Sequence, residues 1–270
     1  MPRAALAVAI AVAAAVGAMP LHAAAASPKD AALWAEAAKL PNLWEGTWQG
    51  ETALYGFPPP IQYTPFGEQY VKAYKPADDT TLANCKQWGM PMIMRNAAMP
   101  LKFFWSPHEK MISIYIETTA VTRFIHMDGR QHSEHPNPTY FGESIGHWEG
   151  NTLVVDSVGF VKETQFQIGQ ATPPAGAAPG RFATPIFAQH SPDLRIVERF
   201  KMLDDNTFEL STTLIDPKYF AQPYTYSDKF YRHVGRRSES QEWVCSDNRD
   251  YYDPSTGKLE YDVKAKAVSQ

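Results

Sequence analysis

From Leu101 to Val234 the chain reads as short apolar stretches with a period of two, separated by tight turn signals. This pattern constrains the fold more than any other feature. Met111 to Thr118 carries Ile112, Ile114 and Ile116 on one face and Tyr115 on the other. Successive side chains of a strand point to opposite faces, so such spacing buries one face of a sheet. Val121 to Met127 follows closely and runs into Asp128-Gly129, a turn signal. Ser144 to Trp148 and Thr152 to Val158 flank Glu149-Gly150-Asn151, and Leu194 to Leu203 and Thr207 to Ile215 flank Asp204-Asp205-Asn206. Both patterns predict hairpins. Leu101 to Ser106 precedes this series and Tyr224 to Val234 closes it. About eight short strands with no long helix between them predict an antiparallel meander, and closure into a barrel removes its exposed edges. A two-sheet sandwich is the alternative. No segment repeats at a spacing that would build a solenoid or propeller.

Composition agrees with a β-rich globular chain. Of 270 residues, 44% are hydrophobic and 13% aromatic, and aromatics favour strands and bury large areas. The net charge of −4, with no strongly basic stretch, argues against nucleic acid as a partner. Met1 to Ala26 reads as a secretory signal: Arg3 is the positive n-region, Ala4 to Met19 the apolar run, and small residues near Ala23 to Ala26 the cleavage site. The run is too short and too rich in alanine for a membrane span, and no second run is long enough. The expected location is therefore periplasmic or secreted. Oxidising compartments favour pairing of the only two cysteines, Cys85 and Cys245; two buried free thiols are the alternative. Residues 27–100 then form an irregular wrap with a first strand near Leu43 to Trp48 and one helical piece at Phe66 to Tyr74. Residues 101–250 form the barrel core and 251–270 a tail.

Phe141-Gly142-Glu143-Ser144-Ile145-Gly146-His147-Trp148-Glu149-Gly150-Asn151-Thr152-Leu153-Val154-Val155-Asp156 resembles the signature of a large, mostly uncharacterised family of exported bacterial proteins, whose members usually read G-x-S-I-G-x-W-E-G-D-T-L-V-V-D-T. The resemblance continues through Arg123 to Arg130, Val197 to Phe200 and Ile215 to Pro217, and covers the segments around Cys85 and Cys245. Asn151 and Ser157 stand where Asp and Thr are usual. The resemblance implies a lipocalin-like barrel; it implies no reaction, cofactor or catalytic residue.

No nucleotide or cofactor motif occurs, and none is expected. Gly142-Glu143-Ser144-Ile145-Gly146 fits the nucleophile-elbow pattern, but a second strand rather than a helix follows it. His190, Ser191 and Asp193 are too close along one strand for the histidine to activate its neighbour. Met90, Met92 and Met94 read as packing rather than copper ligands. The densest polar cluster, His126 to His135, reads chiefly as a solvated rim loop, and no metal is expected there.

The strand faces are more informative. Arg123 sits between Val121 and Ile125; Glu198 lies on the row Ile196, Phe200, Met202; Asp228 lies on the row Tyr224, Tyr226, Phe230. Charges on apolar faces have to be paired or used, because a lone buried charge costs several kcal/mol. One reading is a structural ion pair of Arg123 with Glu198 or Asp228. The other is a small-molecule pocket. In that pocket His126, Glu198 and Asp228 are the candidate catalytic groups, and Arg123, Tyr115, Phe200, Tyr226 and His132 bind the ligand. The expected partner is a small aromatic or apolar molecule. The function is that of a cofactor-independent lyase, isomerase or dehydratase, or alternatively of a carrier using the same pocket without chemistry.

Overall fold

A computed structural model describes residues 34–50, 61–73, 89–95, 100–117, 120–161, 165–170, 185–235, 250–253 and 258–261. Met1 to Ala26, where a secretory signal is expected, and Cys85 and Cys245 lie outside the described residues, and so does the expected cysteine pairing.

Alternation along the sequence becomes alternation of burial. In the strand Met111–Ile116 (β3), Ile112, Ile114 and Ile116 are fully buried, while Met111, Ser113 and Tyr115 are half-buried on the other face. The other barrel strands are Thr47–Gly50 (β1), Leu101–Ser106 (β2), Val121–His126 (β4), Glu143–Glu149 (β5), Thr152–Val158 (β6), Arg195–Asp204 (β9), Thr207–Ile215 (β10) and Tyr224–His233 (β11). Between them in the chain lie Gln165–Gln170 (β7) and Pro185–Gln189 (β8), which pair as a separate ribbon; Asp250–Asp253 (β12) and Lys258–Tyr261 (β13) form another. No clear periodicity marks β7 in the sequence; β13 falls in the expected tail, and β12 straddles the boundary expected between core and tail.

The nine strands close in the order β1-β11-β10-β9-β6-β5-β4-β3-β2. The expected lipocalin-like barrel is thus the fold, and closure excludes the sandwich. One feature departs from a pure antiparallel meander. β4 and β5 run parallel and meet at a single registered pair, His126 with Ile145. The long excursion between them brings β5 back to the same end of the barrel, so no hairpin is possible there. β1 and β2 also meet at one pair, Trp48 with Leu101.

Local chemistry sets the turns. Gly150 and Asn151 make the two-residue loop between β5 and β6. Gly150 takes φ +60° while Asn151 does not, as a turn with glycine at its first central position requires. At the next hairpin the Asp204 carboxylate accepts the Asn206 N–H at 2.8 Å, an Asx turn.

The hairpin half of the lumen is filled by aromatics. Phe208 and Phe230 stack at 4.7 Å, Trp48 meets Phe208 edge-on at 5.0 Å, and Phe103 meets Phe200 and Phe208 edge-on at 5.9 and 5.7 Å. The opposite end is capped by two short helices, Pro65–Ala73 (α1) and Met92–Arg95 (α2). α1 packs on the β10–β11 connection, where Phe66 and Tyr70 meet the Tyr219 ring edge-on. Gly67 is required there: a Cβ would collide with the Tyr219 carbonyl oxygen. α2 arises from a stretch that reads as irregular in sequence. Met90, Met92, Ile93 and Met94 are all buried in the core, so these methionines are packing residues.

Candidate functional site

The inward rows of β4, β9, β10 and β11 place a polar band across the lumen. Strand parity puts Arg123 inside on β4, Glu198 on β9, Thr212 on β10, and Tyr226 and Asp228 on β11. Register does the rest: Thr212 stands directly opposite both Glu198 and Tyr226.

At one side of the band Arg123 and Glu198 are fully buried. Arg123 Nη1 donates to Glu198 Oε1 at 3.1 Å and Nη2 to Oε2 at 2.5 Å. Nη2 also reaches Ser157 Oγ at 3.0 Å and Ser144 Oγ at 3.1 Å, and the two hydroxyls lie 2.8 Å apart. The guanidinium is thereby satisfied from three strands besides its own. Of the two sequence readings of Arg123, the structural ion pair with Glu198 describes this geometry. Ser144, the serine of the elbow-like motif, serves as one of its acceptors.

At the other side Asp228 pairs with Arg95, the last residue of α2. Nε lies 3.0 Å from Oδ2 and Nη2 3.3 Å from Oδ1. The Arg95 guanidinium sits 4.3 Å from the centre of the Tyr226 ring, a cation–π contact. Arg95 is 4% exposed and Asp228 24%, so solvent reaches the carboxylate but hardly the guanidinium. β1 ends at Gly50, opposite Phe230, so beyond that point β11 has no strand neighbour on this side among the described residues. Burial lowers the Arg95 pKa, but Tyr226 and Asp228 outweigh it and leave it raised. Burial pushes the phenols of Tyr224 and Tyr226 well up, against the opposing pull of Arg95, and holds Tyr63 at about 12. These phenols stay neutral at any physiological pH and present rings and hydroxyls.

The remaining candidates are dispersed. Phe200 is inside, within the aromatic stack. Tyr115 and His126 carry the outward parity of β3 and β4, half-buried on the face opposite Arg123. His132 is on the excursion between β4 and β5, with Nδ1 3.0 Å from Glu143 Oε2 and Nε2 3.8 Å from Asp156 Oδ1. Glu143 also accepts the Ser133 N–H and hydroxyl. Burial raises its carboxyl, and these bonds together with His132 turn the net shift downward. Asp156 is clasped in turn by Arg195. This cluster pins the excursion to the outside of the barrel. His135 is exposed, and Asp128, bonded to Arg130, is held down near 2. His190 is buried between the carbonyl oxygens of Ser191 and Val161, each 2.6 Å from a ring nitrogen, and does not engage the Ser191 hydroxyl. Among the described residues no group of three His, Cys, Asp or Glu converges as a metal site.

The structure therefore brings together Arg123 with Glu198, and Tyr226 with Asp228, and leaves His126, His132 and Tyr115 outside the lumen. Sequence reasoning missed Arg95. The available signal was a single charge ending the apolar run Met90 to Met94. Comparison with family models, curated proteins and solved structures finds no match.

Proposed function

We propose that the protein is an exported small-molecule binding or carrier protein whose ligand docks at the Asp228 mouth of the barrel. One observation carries this reading: Asp228 combines an inward position and an aromatic wall with 24% exposure, so a charged group of the lumen is within reach from solvent. Tyr226, under the Arg95 guanidinium, and Tyr224 beside it supply apolar faces with polar tips, suited to a small aromatic or apolar molecule. The likeness of Phe141 to Asp156 to an exported family supports the location.

Catalysis is the less supported reading. A general acid or base has to reach the ligand within hydrogen-bond distance. Arg123 and Glu198 are saturated by one another and sealed from solvent, and His126 faces away from them. Native mass spectrometry of the protein purified from its own source tests the proposal. The expected result is a small molecule that travels with the wild-type chain, is absent from Asp228→Asn, and is recovered unchanged after incubation. Conversion of that molecule by the wild-type chain, lost in a natively folded His126→Ala, would overturn the carrier reading in favour of an enzyme.

A further inference from the structure

The barrel strands by themselves leave the polar band short of one positive charge. Among the described residues, the barrel strands contribute to this band one guanidinium, Arg123, and two carboxylates, Glu198 and Asp228. Arg123 is committed to Glu198 through both of its terminal nitrogens. The next inward cation along β11, Arg232, lies towards the hairpin end and binds Asn206 and Glu45. The cation that answers Asp228 is delivered from outside the barrel, by Arg95 of the capping helix. At this same end Glu117 closes β3 beside Pro100. It is 5% exposed, and its Oε2 has no hydrogen-bond partner among the described residues. Buried carboxylates call for cations or donors.

The surroundings of Arg95 are those of a receptor for an organic cation. A carboxylate grips two of its nitrogens, an aromatic ring lies under its plane, and the Tyr224 phenol stands close enough to interact with it. Carboxylate plus aromatic face is the recurring chemistry by which proteins hold guanidinium and ammonium groups. Vacating the site means moving the Arg95 side chain off Asp228 and the Tyr226 ring. Arg95 is the last residue of α2, whose Met92, Ile93 and Met94 are anchored in the core.

We propose that the Asp228 mouth recognises a small aromatic or apolar molecule bearing a guanidinium or ammonium group, and that Arg95 occupies the cation position as a built-in competitor. This inference rests on the binding reading above and adds the charge of the ligand to it. A self-occupied site weakens apparent affinity by the fraction of time it is vacant. If Arg95 is in place nine-tenths of the time or more, its removal tightens cation binding at least about tenfold.

Calorimetric titration of the full chain with benzylammonium, benzyl alcohol and benzoate provides the test, using wild type, Arg95→Met and Asp228→Asn, each checked for native circular dichroism. Benzylammonium is expected to bind the wild type, to bind Arg95→Met at least about tenfold tighter, and to lose binding in Asp228→Asn. Benzyl alcohol binding as well as benzylammonium would overturn the cation proposal and leave the binding reading intact. Benzoate binding that disappears in Arg95→Met would also overturn it, by making Arg95 a receptor for anions. Failure of all three probes on folded wild type would sink both. If either variant does not fold, the wild-type titration decides alone, since benzylammonium has to bind and the other two have to fail.

Discussion

Arg123 is a guanidinium with no exposure to solvent, and its three acceptors, Glu198, Ser144 and Ser157, come from β9, β5 and β6. Taking two charges out of water is costly, and their attraction recovers that cost only when every remaining donor is satisfied. Here the serine hydroxyls complete the set. Removing one partner leaves the other charged and sealed. Glu198→Met or Arg123→Met is therefore expected to lower unfolding free energy by about 3–5 kcal/mol, whereas the double replacement Arg123→Met with Glu198→Met recovers most of the loss. Urea denaturation of the four proteins gives the coupling directly. Additive losses would mean that the pair is not the unit it looks to be.

At the level of elements, the seam between β4 and β5 is one of two weak parts of the wall. Its ladder has one registered pair, and the side chains take over where the backbone does not. Arg123 crosses the seam from inside, and the Ser133 and His132 bonds to Glu143 clamp the connecting excursion from outside. Gly146 sits on this seam under the side chains of Met127 and Ile125, which would have to shift to admit a Cβ. A Cβ would lie 2.9 Å from Ile125 Cγ2 and closer still to Met127 Sδ. Overpacking of this kind costs about 1–3 kcal/mol. Gly146→Ala is expected to lower the thermal midpoint, while Gly150→Ala, strained by its positive φ but with open space around it, is expected to lose only the turn preference. Equal melting temperatures for Gly146→Ala and wild type would show that the seam yields more easily than its packing implies.

For the whole molecule, the two single-pair seams divide the closed barrel into a β2-β3-β4 meander and a larger sheet running from β5 through β1. The two parts are joined by side chains, so they differ in how easily they open. Amides of β9 and β10, paired from Arg195 with Ile215 to Met202 with Phe208, are expected to exchange at the global rate. Those of β1 and of β4 on its β5 side are expected to exchange through openings at least about 2 kcal/mol easier. Hydrogen exchange read by mass spectrometry or NMR distinguishes this from a barrel that opens as one unit, in which case protection would be uniform around the ring.

How much of this was legible beforehand follows from range. Which residues face the lumen is a local property with a period of two, and the rows around Arg123, Glu198 and Asp228 could be read from the sequence alone. So could the hairpins, whose turn residues Gly150 and Asn206 act within two or three positions of themselves. Parity alone opposes Arg123 and His126, three positions along one strand, although both were expected in one pocket. Partnership was different. Whether Arg123 would meet Glu198 or Asp228 depended on closure, which seats β9, not β11, within reach of β4 across the β5-β6 hairpin. Arg95 reaches Asp228 across 133 positions, from a helix of one turn that no periodicity announces. The sequence determined which side chains turn inward, because that follows from bond geometry along the strand. Only the tertiary structure decided which charges neutralise one another, because that depends on distances fixed by ring closure and by the cap.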